Sequence, residues 1–184
     1  MSNNKNPDKN PRSKKIYRVT AKQHNSKMCF ICGVKNHFGL KASFYETDGN
    51  ELIAIFKPSR HHQGYPERLH GGIAAAVLDE AIGRNINTGR DSEVWGVTVE
   101  FNIRYFKPVP LDREIKAVTR LTSENKRFFT GSGEIILENG EIAVTAEGKY
   151  MKMPVEKISR DFTRENDDWV VVPADSDPEM IVVP

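Results

Sequence analysis

No run of about 18 consecutive apolar residues occurs in this 184-residue chain, so no membrane-spanning helix is expected. The first residues, Met1 to Lys27, are charged and have no apolar stretch behind them, so no secretory leader is expected either. Only two cysteines are present, Cys29 and Cys32. They are too few and too close together for a disulfide framework, which makes a reducing, cytoplasmic compartment the expectation. Charge of one sign is also lacking: the net value is only +2. That small number hides a division. Residues 1–27 carry eight Lys and Arg against one Asp, residues 28–153 carry sixteen charges of each sign, and residues 154–184 carry three positive against eight negative charges. The chain reads as a basic, mobile tail (1–27), one neutral domain (28–153) and an acidic extension (154–184). The opposite signs of the two ends suggest that they meet.

The middle consists mostly of strands. Leu40 to Tyr45 and Glu51 to Phe56 flank Asp48-Gly49, a pair that favours a tight hairpin with positive φ at both central residues. In Val94 to Phe106 the odd positions Trp95, Val97, Val99, Phe101, Ile103 and Tyr105 are apolar. The even ones include Thr98, Glu100, Asn102 and Arg104. A period of two over a dozen residues predicts a long strand with one buried face, ended by Pro108 and Pro110. A strand around Ile115 to Leu121 follows, and then a pair, Phe128 to Leu137 and Glu141 to Met151, joined at Asn139-Gly140. Hairpin links predict an antiparallel sheet. The exception is Gly72 to Ile86, apolar on nearly every side, which predicts one buried helix and an α+β architecture.

Two adjacent carboxylates lie in that helix. Glu80 has Arg84 four residues on, the favourable orientation for an ion pair, so a structural role is expected. Asp79 has Ala75, Ala76, Ile82 and Gly83 as same-face neighbours and no cation. An unpartnered carboxylate in an apolar helix marks function or a partner elsewhere. His70-Gly71-Gly72 opens the same helix, where unpaired backbone N–H groups and a partial positive charge can hold a developing oxyanion.

Taken together, Cys29-Phe-Ile-Cys-Gly33 with Gly39-Leu40, Gln63-Gly-Tyr-Pro66, Leu69-His-Gly-Gly-Ile73 running into Leu78-Asp-Glu-Ala-Ile-Gly83, and Thr98-Val-Glu-Phe-Asn-Ile-Arg-Tyr105 resemble the hotdog-fold acyl-CoA thioesterases of the phenylacetate-pathway (PaaI-like) type. The resemblance covers residues 28–153. It implies a curved antiparallel sheet wrapped round one helix and the hydrolysis of a small acyl- or aroyl-CoA to free acid and CoA. It further implies Asp79 as general base or nucleophile, Gly71 N–H polarising the thioester carbonyl with His70 beside it, and Gln63 in place of an upstream Asn that relatives carry. Gly72, Thr98, Asn102 and Arg104 would line the substrate. No cofactor beyond the CoA of the substrate is implied, and neither nucleic acid nor a membrane is an expected partner.

Asp79 lies about two and a half turns beyond the His70-Gly71-Gly72 motif, roughly 13 Å at ~1.5 Å per residue, so both groups serve one thioester only across a two-fold interface. A homodimer, or a dimer of dimers, is therefore expected. The alternative function is a non-catalytic acyl-CoA-binding or regulatory protein of the same fold, favoured by the missing Asn. Cys29, Cys32 and His37 are spaced like three ligands of a zinc knuckle, but the fourth position is Ala42. Four ligands are normal for structural zinc, so no metal site is expected, and the cysteines read as the packed start of the first strand.

Overall fold

Why the alternating segments become strands and the Ala-rich one a helix is visible in how they cover each other. The protein is represented by a computed structural model that describes residues 14–90, 94–167 and 169–184. Along the chain come β1 (Lys15–Lys22), β2 (Ser43–Thr47), β3 (Glu51–Phe56), α1 (Gly71–Asn85), β4 (Gly96–Tyr105), β5 (Ile115–Glu124), β6 (Phe128–Ile136), β7 (Ile142–Lys152), the four-residue α2 (Val155–Ile158) and β8 (Met180–Val183). The eight strands form one sheet in the order β4-β7-β6-β5-β3-β2-β1-β8, with antiparallel pairing throughout. The α+β expectation holds. α1 packs against β3, β4, β5, β6 and β7. Five strands at a spacing of ~4.8 Å span about 19 Å, wider than one helix, so the sheet must curl to keep them all in contact.

α1 is not buried on every side, as its composition suggested. Ala74, Val77, Leu78, Ala81, Ile82 and Asn85 are its buried residues, spaced by three and four along one face. Ala75, Ala76, Asp79, Glu80 and Gly83 are half-buried. The sheet covers one stripe, and the small alanines on the other side leave the helix partly open. Close approach on the covered side depends on β6, where a Cβ at Gly131 would stand 2.7 Å from Ile82.

The sheet also reaches beyond residues 28–153. β1 lies within the stretch read as a tail and β8 within the acidic extension, and they pair with each other from Lys15↔Val183 to Arg18↔Met180. Tyr17, Ile181 and Val183 pack on Tyr45, Ile53, Val118 and Ile136 on the face of the sheet away from α1. Each fully buried side chain of this kind contributes roughly 1.5–3 kcal/mol, enough to hold both ends down. Lys22 and Asp177 form an ion pair at 2.6 Å, so the two oppositely charged ends do meet, within one chain. Residues 1–13 of the expected mobile tail lie outside the described residues.

Two local expectations shift. In the β2–β3 turn the positive φ falls on Asn50 (60°), not on Asp48-Gly49, and Asn50 N–H bonds Thr47 O. That is a longer turn closed by a left-handed residue, which Asn tolerates. In β4 the alternation changes phase at Val99: Thr98 faces Tyr150 of β7, but Glu100, not Val99, faces Lys149. Val99 is the extra residue of a β-bulge. Thr98, Phe101, Ile103 and Tyr105 therefore stand opposite Tyr150, Gly148, Ala146 and Val144 on the helix-facing side, and Glu100, Asn102 and Arg104 take the other.

Candidate active site

The bulge decides the chemistry around Asp79. Because it turns Thr98 inward, the Thr98 hydroxyl donates to Asp79 Oδ1 at 2.9 Å. Tyr150, also helix-facing, donates its hydroxyl at 3.1 Å to the same oxygen and lies 3.0 Å from the Asp79 carbonyl oxygen. Burial, and then the neighbouring Asp79, push the Tyr150 hydroxyl well above its ordinary value, so it remains a donor. Asp79 thus has two neutral hydroxyl partners on one carboxylate oxygen, and Oδ2 has no hydrogen-bond partner among the described residues. Neutral donors orient a carboxylate without cancelling its charge, which is the arrangement a base or nucleophile needs.

At the other end of α1, His70 is the N-cap. Its Nδ1 accepts from Gly72 N–H at 2.9 Å, which places the proton of the neutral ring on Nε2. Gly72 N–H is thereby engaged, whereas Gly71 N–H has no acceptor among the described residues. Tyr105 donates to the Gly71 carbonyl oxygen at 2.9 Å and fixes the first turn. His70 is exposed, so this helix start faces outward. Burial raises the Tyr105 hydroxyl above its ordinary value as well.

The remaining expected site residues are less concentrated. Gln63 is exposed, and its side-chain oxygen accepts from Glu67 N–H at 3.0 Å, closing the loop before α1. Asn102 donates to Glu100 at 3.2 Å, and Arg104 is exposed. Both lie on the face of β4 opposite Thr98, so one chain does not bring them to Asp79. His62, in the loop before α1, is buried. Its Nδ1 accepts from Ser59 N–H at 2.9 Å and its Nε2 lies 2.8 Å from the Phe38 carbonyl, which makes it a brace for the loop.

Tyr150 escaped the sequence reading. The available signal was its place on the apolar face of β7, because a buried tyrosine hydroxyl needs a partner. Glu80, next to Asp79, fulfils its expectation: Arg84 Nε donates to its Oε1 at 2.9 Å, in a pair whose side chains are only 11% and 20% exposed.

Comparison with known proteins gives this geometry a family context. A sequence model described as the thioesterase superfamily matches residues 67–144, the stretch from the loop before α1 into β7. An uncharacterized protein of Schizosaccharomyces pombe is 32% identical over 97 residues, covering 53% of this chain and 55% of that protein. The acyl-coenzyme A thioesterase THEM4 of Mus musculus is 27% identical over 117 residues, covering 63% of this chain and 49% of that protein. The chain thus spans about half the length of these curated relatives. Among solved structures, the Escherichia coli PaaI protein from the phenylacetic acid degradation operon aligns with a TM-score of 0.56 at 15% identity, covering 62% of this chain and 81% of that one. That likeness speaks for the fold.

Proposed function

From the match of residues 67–144 to the thioesterase superfamily and the hotdog fold around them, we propose that the protein hydrolyses an acyl-CoA thioester, with a small acyl or aroyl group, to the free acid and CoA. The observation that carries this reading is Asp79, whose charge is oriented by the Thr98 and Tyr150 hydroxyls and paired with no cation among the described residues. Asp79 takes a proton from water, and the hydroxide adds to the thioester carbon. The carbonyl oxygen gains negative charge against the Gly71 N–H, with His70 holding the cap. The C–S bond then breaks, and the CoA sulfur leaves with the proton. Asp79 acting as nucleophile through an acyl-enzyme anhydride gives the same products.

Gly71 and Asp79 are eight residues apart on one helix, about 12 Å, so the site joins the helix start of one protomer to the carboxylate of the other. The protein is on this reading a homodimer, with Gly72 beside the carbonyl. Asn102 and Arg104 then serve the partner's site or the CoA. Gln63 stands where an upstream amide is wanted, although its oxygen already closes a loop, which favours the second reading: an acyl-CoA binder that does not cleave.

Release of free thiol from a panel of short, long, branched and aromatic acyl-CoAs separates the two. Turnover by the wild type, lost in both Asp79→Ala and Asp79→Asn, is the expected result. Binding of the esters without thiol release selects the binder, and full turnover in both variants removes Asp79 from the reaction.

A further inference from the structure

The helix residue beside Asp79 takes part in a second, separate cluster. Glu80 Oε2 accepts from the Cys29 thiol at 3.0 Å, and Arg84 donates to Cys32 Sγ at 3.1 Å. Cys29 Sγ, Cys32 Sγ and a Glu80 carboxylate oxygen all lie within 4.8 Å of one another. In a tetrahedral zinc site with bonds near 2.3 Å to sulfur and 2.0–2.2 Å to oxygen, ligand atoms stand roughly 3.5–3.8 Å apart, a small adjustment from this spacing. His37, the local third ligand suggested by spacing, is exposed and outside this group.

We propose that Cys29, Cys32 and Glu80 form a three-ligand site for a thiophilic divalent cation of the Zn²⁺ class, with solvent supplying the fourth position. Two sulfurs and one carboxylate suit zinc rather than magnesium or calcium, which prefer oxygen alone.

The surroundings are those of a ligand set and not of three unrelated side chains. Ile31 N–H points at Cys29 Sγ at 3.3 Å, Ser26 Oγ lies 3.5 Å from Cys32 Sγ, and both Arg84 contacts to Glu80 go to Oε1. Oε2 is left to the ion while Oε1 is braced, the outer-shell pattern that orients metal ligands. Arg84 is itself fixed by the His24 carbonyl at 2.9 Å and lies against the Phe44 and Trp169 rings. Two thiolates, one carboxylate and one guanidinium sum to −2, which a dication balances. Each thiol that becomes a ligand gives its proton to solvent.

The test uses the full chain, treated with a chelator under reducing conditions and titrated with Co²⁺ as an optical probe and then with Zn²⁺. One Co²⁺ per chain with a sulfur-to-cobalt charge-transfer band, displaced by one equivalent of Zn²⁺, is expected. So is at least a tenfold slowing of Cys29 alkylation by that Zn²⁺. Cys29→Ala should lose the band, and Glu80→Gln should keep it with at least tenfold weaker binding. The alkylation rate is read on the wild type and so stands even where a variant fails to fold. No band together with alkylation unaffected by Zn²⁺ overturns the site. Unchanged affinity in Glu80→Gln overturns the assignment of the carboxylate.

Discussion

Asp79 and Glu80 are consecutive residues of one helix, and they live in opposite chemical surroundings. Asp79 is held by the hydroxyls of Thr98 and Tyr150. Glu80 is held by the Arg84 guanidinium, with the Cys29 thiol on its other oxygen. A helix turns about 100° per residue, so neighbours face different elements, here the β4–β7 pair and the Cys29–Cys32 loop. The difference separates two uses of a carboxylate. Hydroxyl donors aim the charge and leave it reactive, whereas a cation neutralises it and turns it into a structural tie.

The largest effects should come from deleting each member in turn. Asp79→Ala is expected to lower thiol release by about 10²–10⁴-fold, the usual worth of a general base, with little change in melting temperature. Glu80→Ala should do the reverse. Turnover per folded molecule should persist, while stability falls by about 3 kcal/mol, because the largely buried Arg84 is left without its anion. Steady-state kinetics and urea unfolding on the same preparations check both, and a Glu80 variant that loses turnover but not stability would dissolve the contrast.

Next in size are the donors to Asp79. A hydrogen bond to a charged group contributes about 1.5–3 kcal/mol, so Tyr150→Phe should cost about 10–100-fold in kcat/KM. Thr98→Val, at an exposed position where water can replace the hydroxyl, should cost less, near tenfold. If Tyr150→Phe alters only stability, the hydroxyl serves the Asp79 backbone carbonyl and not the carboxylate.

These donors also show where the sequence was readable. The six strands from β2 to β7, the helix and the charged pair Glu80–Arg84 follow from local periodicity and i,i+4 spacing. Thr98 did not follow. Strict alternation puts it on the face opposite Phe101, and only the bulge at Val99 returns it to the helix side. A bulge depends on the partner strand, so a single strand's pattern cannot reveal it. β1 and β8 were hidden for a related reason: Tyr17 becomes a core residue only because Ile181 and Val183, more than 160 positions away, cover it. The Cys29–Cys32 cluster is likewise completed by a distant helix residue, where the knuckle pattern looked for a near one.

A smaller effect belongs to the tie between the two ends. Lys22 donates to Asp177 and to the Val172 carbonyl, each at 2.6 Å, and Tyr45 donates to Asp177 at 2.7 Å. Asp177→Asn should destabilise by about 1 kcal/mol and leave thiol release unchanged. The loss should shrink as salt is raised, since the Lys22–Asp177 part is screened. Melting curves at low and high salt read this directly.

The smallest effect extends the contrast to pH. Glu124 receives hydrogen bonds from Lys152 and Arg90, which together hold its carboxyl below the ordinary 4.5. A carboxyl depressed in the folded state adds stability that is fully present above the unfolded value and is lost as pH falls through the folded one. With these side chains 21% to 35% exposed, solvent screening limits the gain to about 0.5–1 kcal/mol. Glu124→Gln should therefore unfold more easily than the wild type at pH 7, and the gap should close progressively below pH 4.5. Thiol release should be unaffected, because Glu124 serves as a tie from β5 to β7 and to Arg90. A gap that persists at acid pH would mean that packing, and not the cations, holds this carboxylate, and the division between aimed and neutralised carboxylates would then fail at its weakest member.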